Sequence, residues 1–136
     1  MKLGEVIELP KILDPRGNLT VVEQLKEIPF NISRVYWVYD VPGGEHRGSH
    51  AHKRCRELIV AVSGAFTVTL DDTNHKSSYL LNHPYQGLLV ETGVWRTLED
   101  FSSGAVCLVL AEFPFDEEDY IRDYDEYRNY VKSCTK

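Results

Sequence analysis

Short runs of apolar residues, separated by turn-forming residues, occupy the chain up to about residue 110. In AFTVTLDD, Phe66, Val68 and Leu70 alternate with small or polar residues, which is typical of a strand with one buried face. Ser63-Gly64, just before this run, predicts a hairpin turn. The pattern indicates an all-β fold, an antiparallel sandwich or a barrel. The other runs are RVYWVYDV, ELIVAVSG, SSYLL, YQGLLVETG, VWRTLED and AVCLVLAEF.

The pattern changes at the C-terminus, in the segment FDEEDYIRDYDEYRNYVK. Asp116 is a typical N-cap residue, and acidic residues follow it where the helix dipole favours them. We therefore predict one C-terminal helix over residues 115–132, packed by its tyrosines on a β-barrel of residues 1–114 or on a partner chain. The stripe at helical spacing consists of Tyr120, Tyr124, Tyr127 and Val131.

Length and composition bound the class of protein. At 136 residues, with 43% hydrophobic and 26% charged residues, the chain has the size and composition of one globular domain. No stretch approaches the ~20 apolar residues of a membrane span, and the N-terminus has no apolar run of signal-peptide length. The three cysteines are widely spaced and odd in number, which fits a reducing compartment. We expect a single cytoplasmic domain, residues 1–136, that is not bound to a membrane.

The charges are unevenly distributed. The net charge is −6, which argues against a nucleic-acid-binding protein. Eight of the 21 acidic residues lie in 112–128, whereas the segment 34–56 is rich in cations. Such a cationic cluster on an acidic protein is consistent with capture of a small anion such as a phosphate ester, and equally with a solvated rim. The cations of this segment are Arg34, Arg47, Lys53, Arg54 and Arg56.

Two histidines stand in the middle of this cationic segment, in GGEHRGSHAHKRCRELIVAVSG. In an extended strand, His50 and His52 point to the same face. Two neighbouring imidazoles suit metal binding or proton transfer, because histidine titrates near neutral pH and its neutral form is a good ligand. A hydrogen-bonded structural pair is the third interpretation.

The spacing Gly44-x5-His50-x-His52-x4-Glu57-x6-Gly64 resembles the first motif of the cupins. That resemblance implies a small jelly-roll β-barrel with its site inside, here followed by a short C-terminal helix. In metal-binding cupins a further histidine from a second motif completes the ligand set, but in GLLVETGVWRTLEDF that position is Arg96. Arginine stays cationic and does not ligate metals. We therefore predict no metal.

A narrower resemblance covers nearly the whole chain. The strings DPRGNL, RGSHAHK, GLLVETGVWR, DFSS and YIRDYDEY are similar to those of the WxcM-like cupins, the nucleotide-sugar 3,4-ketoisomerases. The resemblance implies an enzyme of dideoxy- or amino-sugar biosynthesis that acts on a dTDP-4-keto-6-deoxyhexose, without metal or other cofactor. It also implies a homodimer, in which an N-terminal strand is exchanged in some members.

Moving a ketone from C4 to C3 of a sugar needs a base and a group that shuttles a proton, because the reaction passes through an enediol(ate). By its match to the first histidine of HAH, His50 is predicted to be the base. His52 is predicted to shuttle the proton or to stabilise enediolate charge. The order of these two roles is less secure than the pair.

The same resemblance gives the flanking residues a purpose in binding the substrate. Arg34, Arg47 and Lys53 are candidates for the pyrophosphate, since arginine grips phosphate oxygens in bidentate fashion and lysine supplies a point charge. Tyr36 or Trp37 is a candidate to stack on the thymine, and both are equally suited to barrel packing.

Three further residues are predicted to contact the substrate or its neighbours. Glu57 is expected to hydrogen-bond a histidine or the substrate, with a turn between it and His52 so that both face the cavity. Family members differ at the positions of Arg16 and Arg96, and the resemblance implies that these residues decide which face of the enediol is protonated at C4. Arginine at both leaves the gluco or galacto configuration open.

Three alternatives remain. The first is a metal-dependent cupin enzyme with His50, His52 and Glu57 as ligands. The second is a dTDP-sugar 3,5-epimerase, and the third is a non-enzymatic module that binds a sugar nucleotide.

Overall fold

The computed structural model describes residues 3–134 and contains two five-stranded antiparallel sheets. The first sheet has the strand order β1-β9-β6-β11-β4, and the second has the order β12-β5-β10-β7-β8. A separate hairpin pairs β2 with β3. The strands are β1 (Glu5–Glu8), β2 (Lys11–Ile12), β3 (Leu19–Thr20), β4 (Arg34–Val38), β5 (Arg47–His52), β6 (Glu57–Ser63), β7 (Phe66–Asp71), β8 (Lys76–Leu81), β9 (Gln86–Val90), β10 (Trp95–Glu99), β11 (Val106–Ala111) and β12 (Tyr120–Ile121).

The main core lies where the two sheets face each other. Phe66, Val68 and Leu70 of β7 are fully buried there, as their alternation predicts. From the opposite sheet, Ile59 and Cys107 join the same core. The predicted all-β fold, with strands at the predicted runs and a short C-terminal helix, is confirmed.

A second apolar layer covers the outer face of the first sheet. Leu58 and Val60 of β6 point away from the main core and pack against Ile28 and Phe30 of the N-terminal region. From Glu57 to Ala61, β6 is therefore buried on both faces, which explains the continuous apolar run Leu58–Ala61.

The turn at Ser63-Gly64 differs from the prediction of a hairpin. β6 and β7 lie in different sheets, so the turn carries the chain from one layer to the other. Gly64 has a φ of +67°, and a Cβ there would lie 2.6 Å from Ser102 Oγ. Only glycine meets both demands without strain. The hairpin of this region instead joins β7 to β8.

The predicted helix over 115–132 is wrong in its first half. Asp116 caps a 3₁₀ turn, Glu117–Asp119, by accepting a hydrogen bond from the Glu118 N–H. The chain then forms β12, where Tyr120 pairs with His52 of β5. This pairing satisfies backbone groups that a helix would otherwise use, so the helix α1 begins only at Tyr124 and ends at Cys134.

The predicted packing of the tyrosine stripe holds for the part that is helical. Tyr124 and Tyr127 of α1 contact the ring of Trp95 in β10, and Val131 packs against the same cluster. Tyr120 lies outside the helix and belongs to the cavity described below. Among the described residues, no helix is long and apolar enough to cross a membrane.

Candidate active site

A cavity of about 400 Å³ lies between the two sheets. β4, β6 and β11 line it from one sheet, and β5 and β10 line it from the other. The segment that follows β11 adds three side chains that were not among the predicted site residues: Phe115, Tyr120 and Arg122. The predicted residues in the lining are Arg34, Tyr36, Arg47, His50, Glu57 and Arg96.

The two histidines of β5 lie side by side, as their spacing predicts. The ring centroids of His50 and His52 are 4.9 Å apart, with the rings almost perpendicular. Residues 53–56 turn the chain, so that Glu57 at the start of β6 reaches the same site. Tyr120 packs its ring against both imidazoles, with centroid distances of 5.0 and 4.4 Å.

His52 is fully buried and is held on both sides by carboxylates. Its Nδ1 lies 2.8 Å from Asp119 Oδ2, and its Nε2 lies 3.4 Å from Glu57 Oε2. The other oxygen of Asp119 accepts the backbone N–H of Arg54 at 2.6 Å. Sequence reasoning missed Asp119, because nothing in the sequence distinguishes it from the acids Glu117 and Glu118 beside it.

Glu57 is the centre of a buried network. Its Oε1 accepts a hydrogen bond from Arg96 Nη1 at 2.6 Å, and its Oε2 accepts one from the Tyr36 hydroxyl at 2.8 Å. Burial raises the pKa of Glu57, but contacts with His52, Arg96 and Tyr36 outweigh burial and bring the pKa to about 2. Burial, together with the neighbouring carboxylate, raises the pKa of the Tyr36 phenol well above its usual range. Glu57 is thus a carboxylate at neutral pH.

The same network bears on metal binding. His50, His52 and Glu57 place donor atoms within 4.8 Å of one another, which is the ligand set of the metal-dependent alternative. Both oxygens of Glu57, however, already accept strong hydrogen bonds, and one donor is the permanent cation Arg96. A divalent ion here would meet this guanidinium at close range in a poorly screened interior. The residues present therefore do not fit the metal site of a metal-binding cupin.

His50 lines the cavity beside this network. Its Nε2 is buried and has no hydrogen-bond partner among the described residues. Burial, with the neighbouring Arg96 and His52 acting in the same direction, lowers the pKa of His50 to about 3. The imidazole is neutral at neutral pH and has a nitrogen without a hydrogen-bond partner among the described residues. A general base needs both properties.

Cations line the cavity beyond the histidines. Arg34 lies against Phe115 and Tyr36 and approaches the hydroxyl of Tyr120 at 3.4 Å, while its Nε is buried without a hydrogen-bond partner in the described chain. Arg47 lines the cavity as an exposed side chain. These positions leave guanidinium donors available for an anion.

Three predicted contacts are not brought to the cavity. Arg16 is 91% exposed and pairs with Asp14 in the loop between β2 and β3. Lys53 is exposed on the turn after β5. Trp37 is 57% exposed, because on β4 it points to the face opposite Tyr36.

Two packed antiparallel sheets, with His50 and Glu57 in the cavity between them and His52 buried beside them, define a cupin-type protein. Residues 2–132 match the family model described as "WxcM-like, C-terminal" (FdtA), and the chain belongs to that family. It is 45% identical over 128 residues to the TDP-4-oxo-6-deoxy-alpha-D-glucose-3,4-oxoisomerase of Aneurinibacillus thermoaerophilus, covering 94% of this chain and 92% of the relative.

Solved structures give the same answer. A 3,4-ketoisomerase from Helicobacter canadensis superposes with a TM-score of 0.94 at 38% identity, covering 97% of this chain and 99% of that one. A mutant of the 3,4-ketoisomerase QdtA from Thermoanaerobacterium thermosaccharolyticum, in complex with TDP-4-keto-6-deoxyglucose, superposes with a TM-score of 0.95 at 35% identity. That match covers 99% of this chain and 98% of the other. The chain is an isomerase with the cupin fold.

Proposed function

We propose that the protein is a nucleotide-sugar 3,4-ketoisomerase that converts a dTDP-4-keto-6-deoxyhexose to its 3-keto isomer by histidine acid/base chemistry, without a metal. The observation that carries the proposal is His50, which is neutral, has an unpartnered Nε2 among the described residues and lines a cavity with cations, beside the buried, carboxylate-held His52. The relatives named above as 3,4-ketoisomerases support the reaction, and the complex with TDP-4-keto-6-deoxyglucose supports the substrate class.

The reaction balances within the sugar. His50 takes the proton from C3, the electron pair of that C–H bond forms the C3=C4 double bond, and the C4 oxygen takes the negative charge. The proton of the C3 hydroxyl passes to the C4 oxygen by way of His52. The C3 oxygen then closes to a carbonyl as C4 accepts a proton, and His50 returns the proton it took, directly to C4 or to the solvent that supplies C4. The face on which the proton reaches C4 sets a gluco or galacto product. Electrons and protons are conserved, so no redox partner is needed.

Incubation with freshly made dTDP-4-keto-6-deoxyglucose in heavy water, followed by NMR, tests the reaction. The expected product has its carbonyl at C3 and deuterium at C4, with the same rate after treatment with a chelator. Each alternative gives another result. Deuterium at C5 indicates the 3,5-epimerase, loss of turnover with chelator indicates the metal-dependent enzyme, and absence of any conversion indicates the binding module.

We propose that the arginines lining the cavity bind the pyrophosphate of the substrate. Arg34→Ala is expected to weaken TDP binding by about 10-fold or more, because a guanidinium–phosphate contact is charge-assisted. Arg47→Ala should act in the same direction with a smaller effect, since its side chain is exposed. Isothermal titration calorimetry with TDP measures both.

Lys53→Ala is the matched control for charge removal, since Lys53 and Arg47 are each three residues from His50 in sequence but Lys53 lies outside the cavity. It should bind TDP as the wild-type protein does. An equal loss of affinity in Lys53→Ala would show that the general charge of the segment, rather than the cavity arginines, holds the nucleotide.

We also propose that the chain acts as one cupin domain in a cytoplasmic homodimer. The outer face of β4 and β6 leaves Val35, Trp37 and Val62 between 41 and 57% exposed, which is a surface suited to a second copy. The cysteines Cys55, Cys107 and Cys134 are all free thiols, which supports a reducing compartment.

A further inference from the structure

We propose that Asp119 is a positioning residue that fixes the tautomer of His52, with the proton on Nδ1 and a bare Nε2. This proposal rests on the proposed function, because it concerns the histidine assigned to the proton shuttle. It concerns a residue in the segment after β11, which the cupin motif does not include.

The contacts of Asp119 determine which nitrogen holds the proton. Oδ1 accepts the backbone N–H of Arg54 at 2.6 Å, and Oδ2 lies 2.8 Å from His52 Nδ1. A carboxylate has only acceptors, so the hydrogen in the second contact belongs to the imidazole. In its neutral form the ring therefore carries its one proton on Nδ1 and leaves the lone pair of Nε2 unused.

The position of Nε2 fits the role of a shuttle. The atom is buried and has no hydrogen-bond partner in the described chain, and it lies 3.4 Å from Glu57 Oε2. In this tautomer Nε2 can accept a proton and hand it on. A proton placed there would also be stabilised by Glu57 and, through the ring, by Asp119. In the reversed tautomer Nε2 already holds a hydrogen and cannot accept another.

The backbone around Asp119 is fixed to the strand that carries the histidine. Its carbonyl accepts the N–H of Lys53 at 2.9 Å, and the next residue, Tyr120, pairs with His52 in the ladder between β12 and β5. The side chain is only 6% exposed. Because these backbone hydrogen bonds hold residue 119 against β5, the fold itself fixes the distance between His52 and Asp119.

Asp119→Asn tests the proposal, because an amide has one acceptor oxygen where the carboxylate has two. The Arg54 N–H requires that oxygen, so the NH₂ group faces His52 Nδ1 and forces the proton onto Nε2. We expect kcat to fall by about 10²–10⁴-fold, by analogy with a catalytic histidine forced into the wrong tautomer. KM should change by no more than a few-fold, since Asp119 does not line the cavity.

Asp116→Asn is the matched control. Asp116 lies in the same segment and pairs with Arg54 at 3.0 Å, so the substitution removes the same charge without touching His52. It should keep the wild-type kcat. An equal fall in kcat in both variants, or an unchanged kcat in Asp119→Asn, would overturn the proposal.

A second measurement requires neither enzymatic activity nor a folded Asp119→Asn variant. In ¹⁵N-histidine NMR spectra of the wild-type protein, the His52 resonances, assigned by their loss in His52→Asn, should show a protonated Nδ1 and an unprotonated Nε2. The opposite tautomer would contradict the role of Asp119 even if the ketoisomerase reaction is confirmed. The expected tautomer in a protein with no ketoisomerase activity would leave the positioning intact and refute only the proposed reaction.

Discussion

Replacing His50 with asparagine is expected to lower the rate of conversion of dTDP-4-keto-6-deoxyglucose by about 10²–10⁴-fold, the usual contribution of a positioned base. Asparagine keeps a polar side chain of similar reach but has no basic nitrogen. Affinity for TDP should stay close to that of the wild-type protein, because the cations assigned to the phosphates, Arg34 and Arg47, are separate side chains of the lining. Steady-state kinetics and calorimetry on the same preparation measure the two quantities.

The pKa of His50 adds a pH dependence to this prediction. Burial, Arg96 and His52 lower that pKa to about 3 in the free protein. A base must be unprotonated, so His50 becomes inactive only as the pH falls toward 3, rather than through 6.5. Since kcat/KM reports the free enzyme, His50 should cause no fall in kcat/KM between about pH 8 and 5. Suppose instead that kcat/KM of the wild-type protein falls with an apparent pKa near 6.5, and that this fall is absent from the profile of His50→Asn. That result would contradict the lowered pKa of His50.

His46→Asn is the matched control for the same chemical change. His46 lies four residues earlier, is exposed and does not line the cavity. Its replacement should leave both kcat and TDP affinity unchanged. Wild-type turnover in His50→Asn would refute the assignment of the base.

Much of the site could be predicted because a strand has a period of two. Once residues 48–53 are taken as extended, His50 and His52 must share a face. The cupin spacing also predicts the turn before Glu57. Local rules of this kind involve few residues at short sequence separations, so contacts between distant parts of the chain seldom change their outcome.

The residues that were missed or misplaced depend on contacts between distant parts of the chain. Asp119 and Tyr120 were assigned to a helix because their neighbours have helical spacing, but pairing with β5 outweighs that local preference. The hairpin at Ser63-Gly64 failed because the turn geometry alone does not say which sheet the next strand joins. The position of a cation is equally hard to predict. Lys53 has the charge expected of a phosphate ligand, but it is exposed on the turn, outside the cavity.

Arg96 is expected to determine the stability of the protein as well as the chemistry of the site. It and Glu57 are each 1% exposed and meet at 2.6 Å, and Arg96→Met leaves a buried carboxylate without its cation. Breaking a buried ion pair on one side costs about 3–5 kcal/mol of unfolding free energy. Urea denaturation at pH 7 should show a loss of this size, whereas Arg16→Met, which removes an exposed cation, should show no measurable change.

The pH dependence and a double variant distinguish this ion pair from simple packing. The folded pKa of Glu57, about 2, lies below its ordinary value of 4.5, so its contribution to stability is complete above pH 4.5 and is lost as the pH falls toward 2. The gap between wild type and Arg96→Met should therefore narrow over that range. Adding Glu57→Gln to Arg96→Met removes the unpaired charge and should restore part of the stability at pH 7. A loss that is independent of pH, and equal in the single and double variants, would mean that Arg96 acts through its packing volume alone.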